Sequence, residues 1–206
     1  MKRSKSSKRW LKEHFSDPFV KRAHAEGARS RATYKLVELI DRDRLIQPGM
    51  VVVDLGAAPG GWSQTVRQRM GGAGTVIALD ILPLDSIAGV TVIEGDFADP
   101  VILDALERAL DGAPVDLVLS DLAPNMSGVA SVDQARAMAL AELGIDFAAR
   151  HLKPGGTLVL KLFQGAGFDA LLLDLRRHFE RVAVRKPKAS RPRSAEVYAV
   201  ATGWRG

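Results

Sequence analysis

Short apolar runs and longer segments of helical period alternate along most of this chain. Met50 to Leu55, Thr75 to Asp80, Val90 to Glu94, Val115 to Ser120 and Thr157 to Phe163 are of strand length and rich in Val, Ile and Leu. Such runs fit strands buried on both faces of a parallel sheet. Between them the spacing predicts helices over 31–44, with Leu36, Val37, Leu39 and Ile40 inward, then from a Gly-rich segment to about Met70, over 100–110, from Ser131 to about Leu152, and over 167–178. Gln47-Pro48-Gly49 and Lys153-Pro154-Gly155-Gly156 read as turns. A strand near 180–185 and another at Val197 to Thr202 complete the pattern. Seven strands alternating with helices predict an α/β fold, Rossmann-like, with a doubly wound, mostly parallel sheet, helices on both faces and a crevice at the carboxyl edge.

The ends depart from this pattern. Residues 1–7 are charged and lack apolar periodicity, which predicts disorder, and the mixed stretch to about Ala28 predicts short helices around Asp17-Pro18. The expected organisation is a basic, partly disordered extension over 1–30 and a single domain over 31–206. At 206 residues and 47% hydrophobic, the chain can bury one full core. It has no cysteine, which excludes disulfides, thiolate metal sites and a cysteine nucleophile. No apolar run approaches the length of a membrane span or a signal sequence, so a cytoplasmic protein is expected. His14, His24, His151 and His178 lack ligand spacing, and no metal is expected.

Charge changes the picture more. Residues 1–31 hold ten Lys/Arg against three acids, and residues 176–193 hold eight against one, leaving eleven basic and twenty acidic groups elsewhere. Two cationic ends on an acidic body suggest a polyanion-binding surface, and the Pro, Ser and aromatic residues among them favour nucleic acid. Lys2 to Lys12, Arg29, Arg31 and the Arg185 to Arg193 stretch are the candidate phosphate contacts.

Four polar residues stand out: Asp121, Lys161 and Glu196, each at the edge of a strand pattern, and Lys35 on the helix that leads into the first strand. A parallel α/β sheet would gather them at one crevice. Lys161 lies within Leu158-Val-Leu-Lys-Leu-Phe163, where an unpaired ammonium would be costly, and pairing with Asp121 answers the problem for both. The loop Asp54-Leu-Gly-Ala-Ala-Pro-Gly-Gly-Trp-Ser63 occupies the usual place for a nucleotide-type cofactor. It has no Lys-Ser/Thr after its last glycine, and its glycines are wrongly spaced for the dinucleotide fingerprint. An acid opening a Gly-rich loop fits S-adenosylmethionine better, with Asp80 placed to accept from ribose hydroxyls and Asp96 to meet the adenine amino group.

Gly56-Ala-Ala-Pro-Gly-Gly-Trp-Ser63, Ser120-Asp-Leu-Ala-Pro-Asn125, Lys161-Leu-Phe-Gln-Gly165 and Ser190-Arg-Pro-Arg-Ser-Ala-Glu196 resemble the FtsJ/RrmJ family of ribose 2′-O-methyltransferases, over about residues 10 to 203. The resemblance implies an S-adenosylmethionine-dependent methyltransferase domain over 31–206. It implies a catalytic Lys-Asp-Lys-Glu tetrad at Lys35, Asp121, Lys161 and Glu196, and cofactor positions at Gly60, Trp62, Asp80, Asp96 and Asp121. The size and layout look most like the branch that methylates a uridine ribose of large-subunit (23S) rRNA, which implies rRNA, within the 50S subunit, as partner of a monomeric, metal-free enzyme. Methylation of tRNA or another RNA stays open at this point, as does naked rRNA against assembled subunit. A non-catalytic RNA-binding protein and an NAD-dependent dehydrogenase are disfavoured, the first by the intact tetrad and the second by the glycine spacing.

Overall fold

A computed structural model describes residues 17–191 and 193–206. The chain enters through α1 (Pro18–Glu26), capped by the Asp17 carboxylate on the Phe19 N–H, with Pro18 at its first position. Then follow α2 (Thr33–Asp43), β1 (Val51–Leu55), α3 (Gly61–Arg69), β2 (Thr75–Asp80), β3 (Thr91–Glu94), α4 (Pro100–Leu110), β4 (Val115–Ser120), α5 (Ala130–His151), β5 (Leu152–Phe163), α6 (Phe168–His178), β6 (Phe179–Arg185) and β7 (Glu196–Trp204).

The strands form one sheet in the order β3-β2-β1-β4-β5-β7-β6. The first five are mutually parallel, and β7 runs antiparallel to both β5 and β6. This is the expected mostly parallel sheet, and the exception has a local cause: ten residues without a helix join β6 to β7, too little for a parallel crossover. The order reverses at β1/β4, which opens a crevice beyond their carboxyl ends.

Two cores sandwich the sheet. One face packs Leu36, Leu39 and Ile40 of α2 and Trp62 and Val66 of α3 on Val52, Leu117, Leu119, Val159 and Val200. The other packs Leu106 of α4, Phe147 of α5 and Leu171 and Leu175 of α6 on Val53, Leu55, Val118, Leu158 and Leu160. Val37, expected inward, is only half-buried.

Strand β5 begins at Leu152, five residues before the expected Thr157. Leu152 pairs with Val115 and Thr157 with Leu117, so Lys153-Pro154-Gly155-Gly156 bulges out of the ladder as an insertion. The predicted turn is therefore a bulge inside a strand. Within the expected N-terminal extension, α1 packs on the body through Ala23, Tyr34 and Ala189. Residues 1–16 lie outside the described residues.

The edge strand β6 is tied to α2 by a bidentate Arg185–Asp43 pair, at 2.9 and 2.7 Å, with both side chains largely buried. The Arg185 hydrogen bonds hold the Asp43 carboxyl below its usual value despite burial. Arg185→Ala strands a buried carboxylate and is expected to cost about 3 kcal/mol at pH 7 in urea unfolding. A lowered folded-state pKa stabilises above the unfolded value and loses that contribution as pH falls through the folded one. The difference between wild type and variant should therefore shrink below about pH 4.

Candidate active site

Alternation along three adjacent strands carries polar groups out of the α2-side core to the carboxyl edge. Leu117 and Leu119 lead to Asp121, Val159 leads to Lys161, and Val200 leads back through Tyr198 to Glu196. Register fixes their neighbours: Lys161 lies opposite Tyr198, Phe163 opposite Glu196, and Leu160 beside Ser120. Helix α2, packed on the same face, adds Lys35 from its first turn.

The result is one connected chain of bonds. Lys35 Nζ lies 2.7 Å from Glu196 Oε1 and donates to the Tyr198 hydroxyl at 3.3 Å. That hydroxyl donates to Asp121 Oδ1 at 2.6 Å. Lys161 Nζ meets the same carboxylate oxygen at 3.1 Å and the Asp121 main-chain carbonyl at 2.5 Å. All four residues expected from the sequence are thus brought together. The two ammonium and two carboxylate groups sum to zero charge, which makes their burial tolerable; the Lys161 side chain is only 7% exposed.

Tyr198 is the member that sequence reasoning missed. Its signal was available, two residues past Glu196 on an alternating strand, but it reads as core because its ring is core, packed 5.7 Å from Trp62. Ser190 was also missed; its hydroxyl donates to Glu196 Oε1 at 2.9 Å. Burial pushes the Glu196 carboxyl up, but the charge and hydrogen bond of Lys35, with Lys161 and Ser190 behind them, hold it below its ordinary value.

Two cavities flank this chain of bonds. One, of about 540 Å³, runs along the carboxyl ends of β1, β2 and β4 and is lined by Gly56, Ala58, Asp80, Asp96, Asn125 and Asp121 among others. The other, of about 260 Å³, is lined by Arg31, Ala32, Lys35, Arg191, Ser194 and Glu196. Asp121 borders the first and Lys35 and Glu196 the second.

Three of the five expected cofactor residues, Asp80, Asp96 and Asp121, line the larger cleft. Asp80 also organises it, accepting from the Ala58 and Leu82 N–H groups at 2.8 Å each. Gly56 has φ +79°, and a Cβ there would sit 2.8 Å from the Leu122 nitrogen, so this position needs glycine to let the β1 and β4 loops meet. Neither Gly60 nor Trp62 borders the cleft. The Trp62 indole is buried and donates to Ala32 O at 2.8 Å, binding α3 to the entry of α2. Asp54, beneath the loop, accepts from Ser63 Oγ at 2.5 Å. Burial, opposed by the Ser63 bonds and aided by the charges of Asp121 and Asp80, pushes its carboxyl up to about 7.

An FtsJ-like methyltransferase model matches residues 28–204. The chain belongs to that family. It is 63% identical over 203 residues to Ribosomal RNA large subunit methyltransferase E of Stenotrophomonas maltophilia strain K279a, covering 98% of this chain and 97% of that protein. The protein of the same name from Xanthomonas oryzae pv. oryzae strain PXO99A is 62% identical over the same share of each chain. Among solved structures, a Plasmodium falciparum protein assigned as a ribosomal RNA methyltransferase superposes with a TM-score of 0.77 at 28% identity, covering 86% of this chain and 99% of that one. The family and these neighbours agree with the Rossmann-like methyltransferase fold expected from the sequence. No helix of the described residues is long and apolar enough to cross a membrane.

Several expected phosphate contacts are otherwise engaged. Arg31 pairs with Asp17 and donates to the Ala189 carbonyl. Arg185 is committed to Asp43, Lys186 donates to the Ser194 and Glu196 carbonyls, and Arg29 to three loop carbonyls. Sequence composition gives the charge of these residues but not the internal acceptors that the folded backbone presents to them. Lys2 to Lys12 lie outside the described residues.

The chain has only two tyrosines, and both hydroxyls are raised. Tyr34, buried and donating to Glu26 at 2.8 Å, is pushed up to about 12, and Tyr198, buried against the Asp121 and Glu196 carboxylates, well above 10. Tyrosinate absorbance of the folded protein should therefore stay near zero at pH 10, where a free tyrosine is about half ionised. Tyr198→Phe should leave that baseline unchanged.

Proposed function

We propose that this protein transfers a methyl group from S-adenosylmethionine to a ribose 2′-hydroxyl of a uridine in large-subunit (23S) rRNA. The observation that carries the reading is a buried Lys-Asp-Lys-Glu cluster bridged by Tyr198 and flanked by two cavities, one edged with carboxylates and glycine backbone, the other with cations. The larger cleft suits S-adenosylmethionine by its chemistry: three carboxylates line it to take an amine, ribose hydroxyls and an adenine amino group, and among the described residues no lysine or arginine lines it for a phosphate. Asp80, Asp96 and Asp121 would hold the cofactor by side chain, while Gly60 and Trp62, outside the lining of the cleft, would act by shaping the loop and helix beside it. When bound, the cofactor supplies a methyl group already activated on a sulfonium.

What the protein must supply is alignment and a place for the hydroxyl. Lys161 Nζ has two acceptors in place, both on Asp121, and an ammonium carries three donors, so one would remain for the lone pair of an incoming hydroxyl. Lys35, fixed by Glu196 and Tyr198, closes the acceptor side. Holding oxygen and methyl carbon in line can account for as much as roughly 7 to 11 kcal/mol of the barrier. Lys161 therefore acts chiefly by fixing the oxygen, and the hydroxyl proton leaves to solvent as the new O–C bond forms.

The cationic smaller cavity and the basic chain ends favour RNA as acceptor, and a 2′-hydroxyl is the feature that separates RNA from DNA. The names of the relatives favour large-subunit rRNA over tRNA. In this reading the protein acts on the 50S subunit as a cytoplasmic, metal-free monomer.

Lys161→Ala should bind S-adenosylmethionine within about threefold of wild type by calorimetry and lose at least about 100-fold in transfer. Substantial residual turnover would remove Lys161 from its role. The function itself is tested by mapping ribose methylation of 23S rRNA from cells with and without the protein. One uridine 2′-O-methyl should vanish on deletion and return with wild type but not with Lys161→Ala. Loss of a tRNA mark instead would reassign the substrate.

A further inference from the structure

Arg29 belongs to the basic N-terminal run and by composition is a candidate for binding phosphate. Its guanidinium is instead spread over three main-chain carbonyls from two loops. Nη1 donates to Asp85 O at 2.8 Å and to Pro59 O at 3.3 Å, and Nη2 donates to Ser86 O at 2.8 Å. Pro59 lies in the Gly-rich loop after β1, and Asp85 and Ser86 lie in the loop after β2. The side chain also packs on Gly60: a Cβ there would meet Arg29 Cδ and Nη1 at 3.2 Å and Ile87 Cδ1 at 2.9 Å.

Gly60 caps α3 with φ +99°, and its N–H donates to Ala57 O at 2.6 Å. The loop is thus gripped from two sides, by Asp80 on the Ala58 N–H and by Arg29 on the Pro59 carbonyl. Asp80 also lines the larger cleft. Only a planar fork with several donors can span three carbonyls on two loops; an ammonium is a point charge that reaches one or two of them.

We propose that Arg29 is a positioning residue for the cofactor loop, clamping the β1 and β2 loops through Pro59, Asp85 and Ser86 so that Ala58 and Asp80, which line the larger cleft, are held in the ligand-binding conformation before RNA arrives. It does not act as a phosphate contact. The cost of ordering the loop is met in the free protein, which leaves more of the binding energy for the cofactor. The inference rests on the proposed use of the larger cleft for S-adenosylmethionine.

The two roles separate by charge and by ligand. Arg29→Lys keeps the charge and loses the fork; Arg29→Ala loses both. S-adenosylmethionine affinity is read by calorimetry on the full chain without RNA, and hydrogen exchange at Ala58, Gly60 and Gly61 on the ligand-free protein. Binding to a 23S rRNA fragment is read as a function of salt. A positioning role predicts that both variants raise the cofactor Kd about tenfold and speed exchange at these three amides, with lysine failing to rescue. It also predicts an unchanged log-log salt slope for RNA. Lysine at wild-type cofactor affinity, or a slope reduced by about 0.7 in Arg29→Ala with cofactor affinity intact, would overturn it. Because exchange is read on ligand-free protein and Arg29→Lys is the milder change, poor folding of Arg29→Ala leaves the test standing. Wild-type protein that binds no S-adenosylmethionine would refute the proposed function, whereas wild-type binding with unaffected variants would refute the clamp alone.

Discussion

The constraint on which the site depends is the cost of burying charge. Two ammonium groups and two carboxylates sit at the edge of an apolar core, and none of them could be there alone. They are tolerated because they are interleaved, Glu196 with Lys35 and Asp121 with Lys161, and because the Tyr198 hydroxyl links the two pairs. Mutual satisfaction fixes each group's position to hydrogen-bond tolerance. The interactions that make the cluster stable thus also make it a rigid platform for a reacting hydroxyl.

The topology makes the cluster possible. Were β7 parallel to β5, its first residue would lie at the amino edge, far from Asp121. Running antiparallel, it begins where β5 ends and delivers Glu196 and Tyr198 beside Lys161. The cluster therefore draws on three adjacent strands on one side of the point where strand order reverses, and the segment before β7 becomes part of the site: Ser190 on Glu196, Ala189 with Tyr34, and Arg191 in the smaller cavity. Helix α1 packs against that same segment, so the N-terminal region and the wall of the smaller cavity are built as one piece.

The chain's basic groups divide by partner rather than by sequence position. Arg185 secures an edge strand, Arg31 joins α1 to the segment before β7, and Arg29 joins two loops. Each side chain reads identically in composition, and each has a different acceptor in the fold. Neutralising such a residue would alter structure as well as field, a distinction that net charge does not make.

By itself the sequence determined the alternation of strands and helices, the Gly-rich loop at the carboxyl edge and the four charged residues of the cluster. Most are local signals: a period, a glycine that a backbone approach requires, or, for Lys161 and Asp121, an ionisable group beside an apolar strand; Lys35 and Glu196 stand out through the family resemblance. Only the tertiary structure decided the rest. That Tyr198 completes the hydrogen-bond chain depends on strand register, because its ring is apolar enough to pass for core. That Trp62 supports α2 from within the core, and that Lys153-Pro154-Gly155-Gly156 is a bulge, depend on which strand or helix lies alongside. That Arg29 and Arg185 are bound internally depends on carbonyls and a carboxylate distant in sequence. A residue's type and period are written in the chain, but its partner exists only once the chain has folded.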